Sequence, residues 1–100
     1  MPQILIEREH PLGLEQARLT AAQWMREAEE RFELRCSCER GDATDRVSFS
    51  RSGLSGTLEV SSTHFRLQAQ LGFLLGAFKD RIEAEIGKNL DALIASHAKA

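Results

Sequence analysis

The stretch QLGFLLGAFKDRIEAEIGKNL, residues 70–90, decides where the sheet of this chain stops and its last helix starts. From Leu71 to Phe78 every residue is apolar or Gly, and charges then appear abruptly at Lys79 and Asp80. If a strand runs on through Phe73, then Phe65, Leu67, Ala69, Leu71 and Phe73 share one face, and a helix starting afterward turns Leu75, Phe78 and Ile82 to the same core. An uninterrupted helix, at ~100° per residue, instead sets Phe73 nearly opposite Ile82 and leaves a large ring in water. The first reading explains more residues and leaves only Leu74 over. It is the expectation, and it makes the run core rather than a contact patch.

Upstream, the period is two from Leu34 to Leu71. Leu34, Cys36 and Cys38 alternate with Arg35, Ser37 and Glu39; Val47 and Phe49 with Arg46, Ser48 and Ser50; Leu58 and Val60 with Thr57, Glu59 and Ser61; Phe65, Leu67 and Ala69 with Arg66, Gln68 and Gln70. That pattern predicts four antiparallel strands with one dry and one wet face. The connections RGDATD (40–45), SGLSG (52–56) and SST (61–63) supply the Gly, Asp and Ser that hairpins need. Before them, Leu14, Ala17, Ala21, Trp24, Ala28 and Phe32 recur at three or four residues, the stripe of an amphipathic helix from about Leu14 to Glu33. QILIERE (3–9) reads as a first strand with Ile4 and Ile6 on one face, broken by HPLG (10–13). Downstream, Leu75, Phe78, Ile82, Ile86, Leu90 and Leu93 make a last helical stripe ending near Ser96.

The order is β-α-β-β-β-β-α. Five strands at ~4.8 Å and two helices at ~10 Å cover about the same width, which predicts a two-layer α+β sandwich with a mainly antiparallel sheet and both helices on one face. Two places remain open to the first strand: parallel to the second across a right-handed crossover, or antiparallel to the last.

One hundred residues form one domain, 1–100, able to bury roughly 65% of the unfolded surface without metal or disulfide staples. With 42% hydrophobic and 28% charged residues the composition is that of a soluble globular protein. A net charge of −2 argues against a nucleic-acid partner, which calls for a basic surplus on one face. The first ten residues hold neither a signal peptide nor an anchor, and no apolar run approaches the ~20 residues that span a bilayer, so the expected location is cytoplasmic. Cys36 and Cys38 fit a reducing compartment, because residues two apart on a strand lie ~6.5 to 7 Å apart with parallel side chains.

Chemistry is sparse. Cys36 and Cys38 fall short of the four ligands a zinc site needs, His10, His64 and His97 lack paired spacing, and both cysteines read as small hydrophobes on the core face. Asp42 and Asp45 lack the ligand spacing of a calcium loop and read as turn residues. His10, beside Pro11, is the one catalytic candidate by residue type, without a nucleophile or carboxylate partner in sequence. Ser48, Ser50, Ser52 and Ser55 carry no nucleophile-elbow signature, and no phosphate-binding or dinucleotide fingerprint occurs. An enzyme is disfavoured, and no metal or cofactor is expected. Arg35, Arg46 and Arg66 lie on the wet face, either as an anion-binding surface or as a solvated sheet face.

Three separated stretches in order, IEREHPLGLEQAR (6–18), FSRSGLSGTLEV (49–60) and LQAQLGFLLGAFKDRIEAEI (67–86), resemble the polyhydroxyalkanoic acid system proteins. These are small bacterial proteins encoded among genes for polyhydroxyalkanoate synthesis and granule-surface proteins. The resemblance covers Ile4 to about Leu93 and includes Arg8, His10, Leu12, Gly13, Arg51, Ser52, Gly53, Gly56 and the run from Leu71 to Leu75. It implies a setting at the polyester storage granule and brings no catalytic residue with it. Arg8 and Arg51 fall by parity on the inward side near strand ends, where they either reach around the rim to helix carboxylates or form part of a site.

The leading expectation is a noncatalytic accessory protein that binds the granule or a granule-associated protein through exposed apolar contacts at Leu5, Leu12 and Leu74, with Phe73 as a further candidate. A second is a binder of an acyl chain held between sheet and last helix, in a cavity lined by Leu58, Leu67, Phe78 and Ile82. A third is a homo-oligomer joined through a sheet edge or the wet face.

Overall fold

Alternation in the sequence becomes a five-stranded antiparallel sheet in a computed structural model, which describes residues 3–98. The elements are β1 (Gln3–Glu9), α1 (Gly13–Phe32), β2 (Arg35–Glu39), β3 (Thr44–Arg51), β4 (Leu54–Ser61), β5 (His64–Leu71), a single helical turn α2 (Phe73–Gly76) and α3 (Lys79–Ala98). Across the sheet the order is β1-β5-β4-β3-β2, so β2 to β5 form a meander and β1 closes the far side against β5. The register Ile4↔Ala69 and Ile6↔Leu67 settles the place of the first strand: antiparallel to the last, with its two isoleucines on the dry face.

One core joins the dry face to both long helices. Val47, Leu58, Phe65, Leu67 and Leu71 are buried from the sheet, Ala17, Ala21, Trp24 and Ala28 from α1, and Ile86, Leu90 and Leu93 from α3. The stripe of α1 is mostly alanine, which lets its backbone lie close to the sheet above β4. Trp24 is the one large side chain among its buried residues and meets Phe49 edge to face, with ring centroids 5.3 Å apart. The helix ends where Glu33 turns left-handed (φ 56°) and its N–H bonds back to the Ala28 carbonyl.

Two expectations fail, one for lack of cover and one for an unforeseen partner. Cys38 is exposed and Cys36 half-buried, because β2 is the edge strand and α1 barely reaches it. Asp45 is no turn residue: it lies in β3, buried, and accepts hydrogen bonds from Arg18 Nε (2.9 Å), Arg18 Nη2 (3.1 Å) and the Gly41 N–H (3.2 Å). Arg18 also donates to the Gly41 carbonyl at 3.0 Å, so one ion pair pins α1 to the β2–β3 connection. The hydrogen bond from Arg18 holds the Asp45 carboxyl below its ordinary range.

Two outcomes follow. A Cβ at Gly56 collides with the Gln68 carbonyl oxygen and comes within 2.6 Å of the Phe49 ring, so Gly56→Ala lowers stability by roughly 1–3 kcal/mol in urea denaturation. Because the folded pKa of Asp45 is depressed, its stabilisation is full above the unfolded value of ~3.9 and is lost as pH falls through the lower folded value. The stability difference between wild type and Asp45→Asn therefore shrinks in acid, read from denaturation midpoints against pH.

Candidate functional site

The apolar run from Leu71 to Phe78 takes a course that periodicity does not show. β5 stops at Leu71, and the Gly72 N–H donates to the Gly53 carbonyl at 2.7 Å, drawing the chain toward the β3–β4 turn. The two backbones meet so closely that a Cβ at Gly72 lies 3.3 Å from the Gly53 Cα, and Gly53 itself has φ +83°. The Gly76 N–H then bonds to the Gly72 carbonyl at 2.9 Å, closing the turn α2. Phe73 is thereby lifted off the dry face and is 95% exposed, with Leu74 beside it at 80%. Phe78, expected in the last core stripe, is 55% exposed, because α2 and α3 are separate helices joined through Ala77 and Phe78. The expected core segment is an apolar corner.

Not every predicted contact belongs to that corner. Leu5 is 51% exposed, but it stands on the wet face of edge strand β1 opposite Gln68. Leu12 is half-buried and packs against the core, which removes it as a free contact. Arg8 takes the first of its two expected courses and reaches around the rim, its Nε 2.7 Å from Asp91 Oδ1 on α3. Arg51 turns to a backbone group instead, donating to the Phe32 carbonyl at the end of α1 at 2.8 Å. The structure thus assembles Phe73 and Leu74 with Phe78, which the sequence reading had assigned to the core. The signal for it was the pair Gly72 and Gly76 flanking three large apolar residues.

Beside the corner a cavity of about 350 Å³ opens between the end of α1, the start of α3 and the sheet end. Phe78 and Ile82 line it as expected, but Leu58 and Leu67 are fully buried in the core and do not. Trp24, Phe32, Phe49 and Leu75 form its other apolar walls.

The wet face sorts by register into rows. One row runs Glu7, Arg66, Glu59, Arg46, Glu39 across the five strands, alternating in sign, with Arg66 Nε 3.3 Å from Glu7 Oε1. Opposite charges placed across strands attract by ~0.2–1 kcal/mol a pair, so Arg46 and Arg66 are answered within the sheet and offer little to an outside anion. The neighbouring rows, Leu5, Gln68, Thr57, Ser48, Ser37 and then Gln3, Gln70, Ser55, Ser50, Arg35, carry one charge between them.

His10 is buried and fully engaged. Its Nδ1 accepts from the Leu12 N–H at 3.2 Å, its Nε2 lies 3.1 Å from the Ser61 carbonyl, and its ring packs on Phe65 with centroids 4.4 Å apart. That pattern requires the neutral ring with its proton on Nε2, and burial pushes its pKa down. Nδ1 closes the β1–α1 turn and Nε2 ties that turn to the end of β4, which is a bracing role. Among the described residues no group of three or more His, Cys, Asp or Glu is arranged to hold a metal, and no helix is long and apolar enough to cross a membrane.

The His10 pKa is depressed in the fold, so its contribution to stability is full above the unfolded value near 6.5 and is lost as pH falls through the lower folded value. His10→Gln flattens the decline in urea midpoint as pH falls below about 6.5; an unchanged slope means that other groups set it.

No curated protein matches the chain. The family described as putative polyhydroxyalkanoic acid system protein matches residues 4–94, a span that holds β1, the buried His10 turn, the Gly53–Gly72 contact and the exposed α2 corner. The chain belongs to that family.

Proposed function

We propose that this protein is a noncatalytic accessory of the polyhydroxyalkanoate system that attaches to the storage granule, or to a protein coating it, through the α2 corner. The observation that carries this reading is the exposure of Phe73 and Leu74 side by side on a one-turn helix, with Phe78 half-exposed just beyond. Large apolar side chains held in water are worth ~1.5–3 kcal/mol each when fully buried at a contact. Phe73 and Leu74 together supply roughly 3–6 kcal/mol, comparable with the lower estimates of what association costs. Attachment through one corner is therefore weak and reversible, in the range of a single lipid anchor rather than a permanent insertion. Lys79, Asp80 and Arg81 follow the corner directly and keep its rim wet. The noncatalytic part of the reading is supported by His10, whose two ring nitrogens are both spent on backbone groups.

Co-sedimentation with washed granules, bare and native, checks it. The wild-type chain is expected to pellet with bare polymer, and the double substitution Phe73→Ser with Leu74→Ser to weaken this at least tenfold while leaving the urea midpoint in place. Pelleting only with native granules identifies a coat protein as the partner of the corner. No pelleting with either, or full pelleting of the double variant, overturns the proposal.

A further inference from the structure

The cavity between α1, α3 and the sheet end is a second apolar feature, and it faces inward. Its origin lies in how α3 packs. At Gly87 the helix lies against β1 side chains, where a Cβ would stand 3.1 Å from Arg8 Nη2 and 4.0 Å from Ile6 Cδ1. Beyond it Leu90 and Leu93 are buried, whereas toward the N-terminus Ile82 is only half-buried and Phe78 more than half exposed. The first turns of α3 are therefore covered less closely than the rest, with Ile82 only partly buried at the edge of the core. The space they leave is about 350 Å³, at the lower end of ligand-binding pockets, with room for roughly ten heavy atoms.

Its walls and its mouth differ in chemistry. Its buried and half-buried lining includes Trp24, Phe32, Phe49, Leu75 and Ile82; its exposed side carries Arg51, Arg81 and Glu85, with Asn89 half-buried beside them. Neither arginine is within ion-pair distance of a carboxylate among the described residues, and Arg51 spends only its Nη1 on the Phe32 carbonyl. Against these two guanidinium groups Glu85 is the single acid at the mouth. An apolar interior with a surplus of unpaired arginine at its entrance selects a molecule that is apolar at one end and anionic at the other.

We propose that this cavity binds a medium-chain monocarboxylate, its chain against Trp24, Phe32 and Ile82 and its carboxylate at Arg51 and Arg81. A neutral chain of the same length gains the walls without the arginines, and a cationic one is repelled at the mouth. This site goes beyond granule attachment and does not depend on it, since Phe73 and Leu74 do not line the cavity.

Trp24 is the only tryptophan of the chain and lines the cavity, so its fluorescence reports occupancy directly. Titration of the full chain with octanoate, 1-octanol and octylammonium is expected to give a saturable response, with octanoate bound about tenfold more tightly than the alcohol and the ammonium weakest. The double substitution Arg51→Gln with Arg81→Gln is expected to erase the preference for octanoate over octanol while octanol binding stays as it was. A merely structural role of the arginines would lower both together. Ile82→Phe, which grows into the space from a half-buried position, weakens all three probes. The absence of a saturable response, or equal binding of octanoate and octanol by the wild-type chain, overturns the proposal. Phe73→Ser with Leu74→Ser is expected to bind octanoate normally, so the failure of granule attachment and the failure of this site are read separately.

Discussion

A single backbone hydrogen bond, from the Gly72 N–H to the Gly53 carbonyl, governs the half of the molecule that carries functional interest. It fastens the exit of β5 to the β3–β4 turn, two segments far apart in sequence, and is favoured by glycine at both ends: Gly53 holds φ +83°, and a Cβ at Gly72 would crowd the Gly53 Cα at 3.3 Å. Once it forms, the chain has no path along the sheet after Leu71. Phe73 and Leu74 are turned outward, the helical turn closes on Gly72, and α3 starts from a point displaced from the sheet end. The exposed corner and the inner cavity are two sides of that same departure. A strand that continued for two more residues would have turned Phe73 to the dry face.

The parts of this fold legible in the sequence are those that periodicity determines. Period two in β3 and β5 and the helical stripe of α1 place nearly every buried residue of those elements correctly, since each side chain's face follows from its position alone. What stayed hidden depends on contacts between distant residues. Alternation assigned Phe73 to the dry face because nothing in residues 64–73 reveals that Gly53 will capture Gly72. Cys36 and Cys38 have the parity of core residues, but parity does not say whether a helix lies above an edge strand. Asp45 looked like turn chemistry because its partner, Arg18, sits on another element and meets it only in the fold. The candidate site suffered most, being built around such a departure from the pattern: Phe73 and Leu74 were named, Phe78 was misassigned, and Leu5 and Leu12 were grouped with them without a shared location.

The two apolar features answer different physical demands. A side chain at the corner gains by contact with any broad apolar surface and needs no shape match, which suits a polymer or a granule coat. The cavity gains only from something narrow enough to enter, and its arginines add a demand for charge that a polyester surface does not meet. Leu75 and Phe78 adjoin both features, so the short segment after β5 serves as a wall of one and an edge of the other. A membership in the polyhydroxyalkanoic acid system family is consistent with either demand and names neither.

The alternating row Glu7, Arg66, Glu59, Arg46, Glu39 has a kinetic consequence. Its charges cancel over a few ångströms, and the net charge of the whole chain is only −2, so little field extends past a Debye length of ~8 Å at physiological salt. A partner approaching the wet face of the sheet is neither drawn in nor turned as it comes. Encounters proceed at the unsteered pace of ~10⁵–10⁶ M⁻¹s⁻¹ and change little with ionic strength. Residence time, and not arrival, then sets how long the protein stays where it lands.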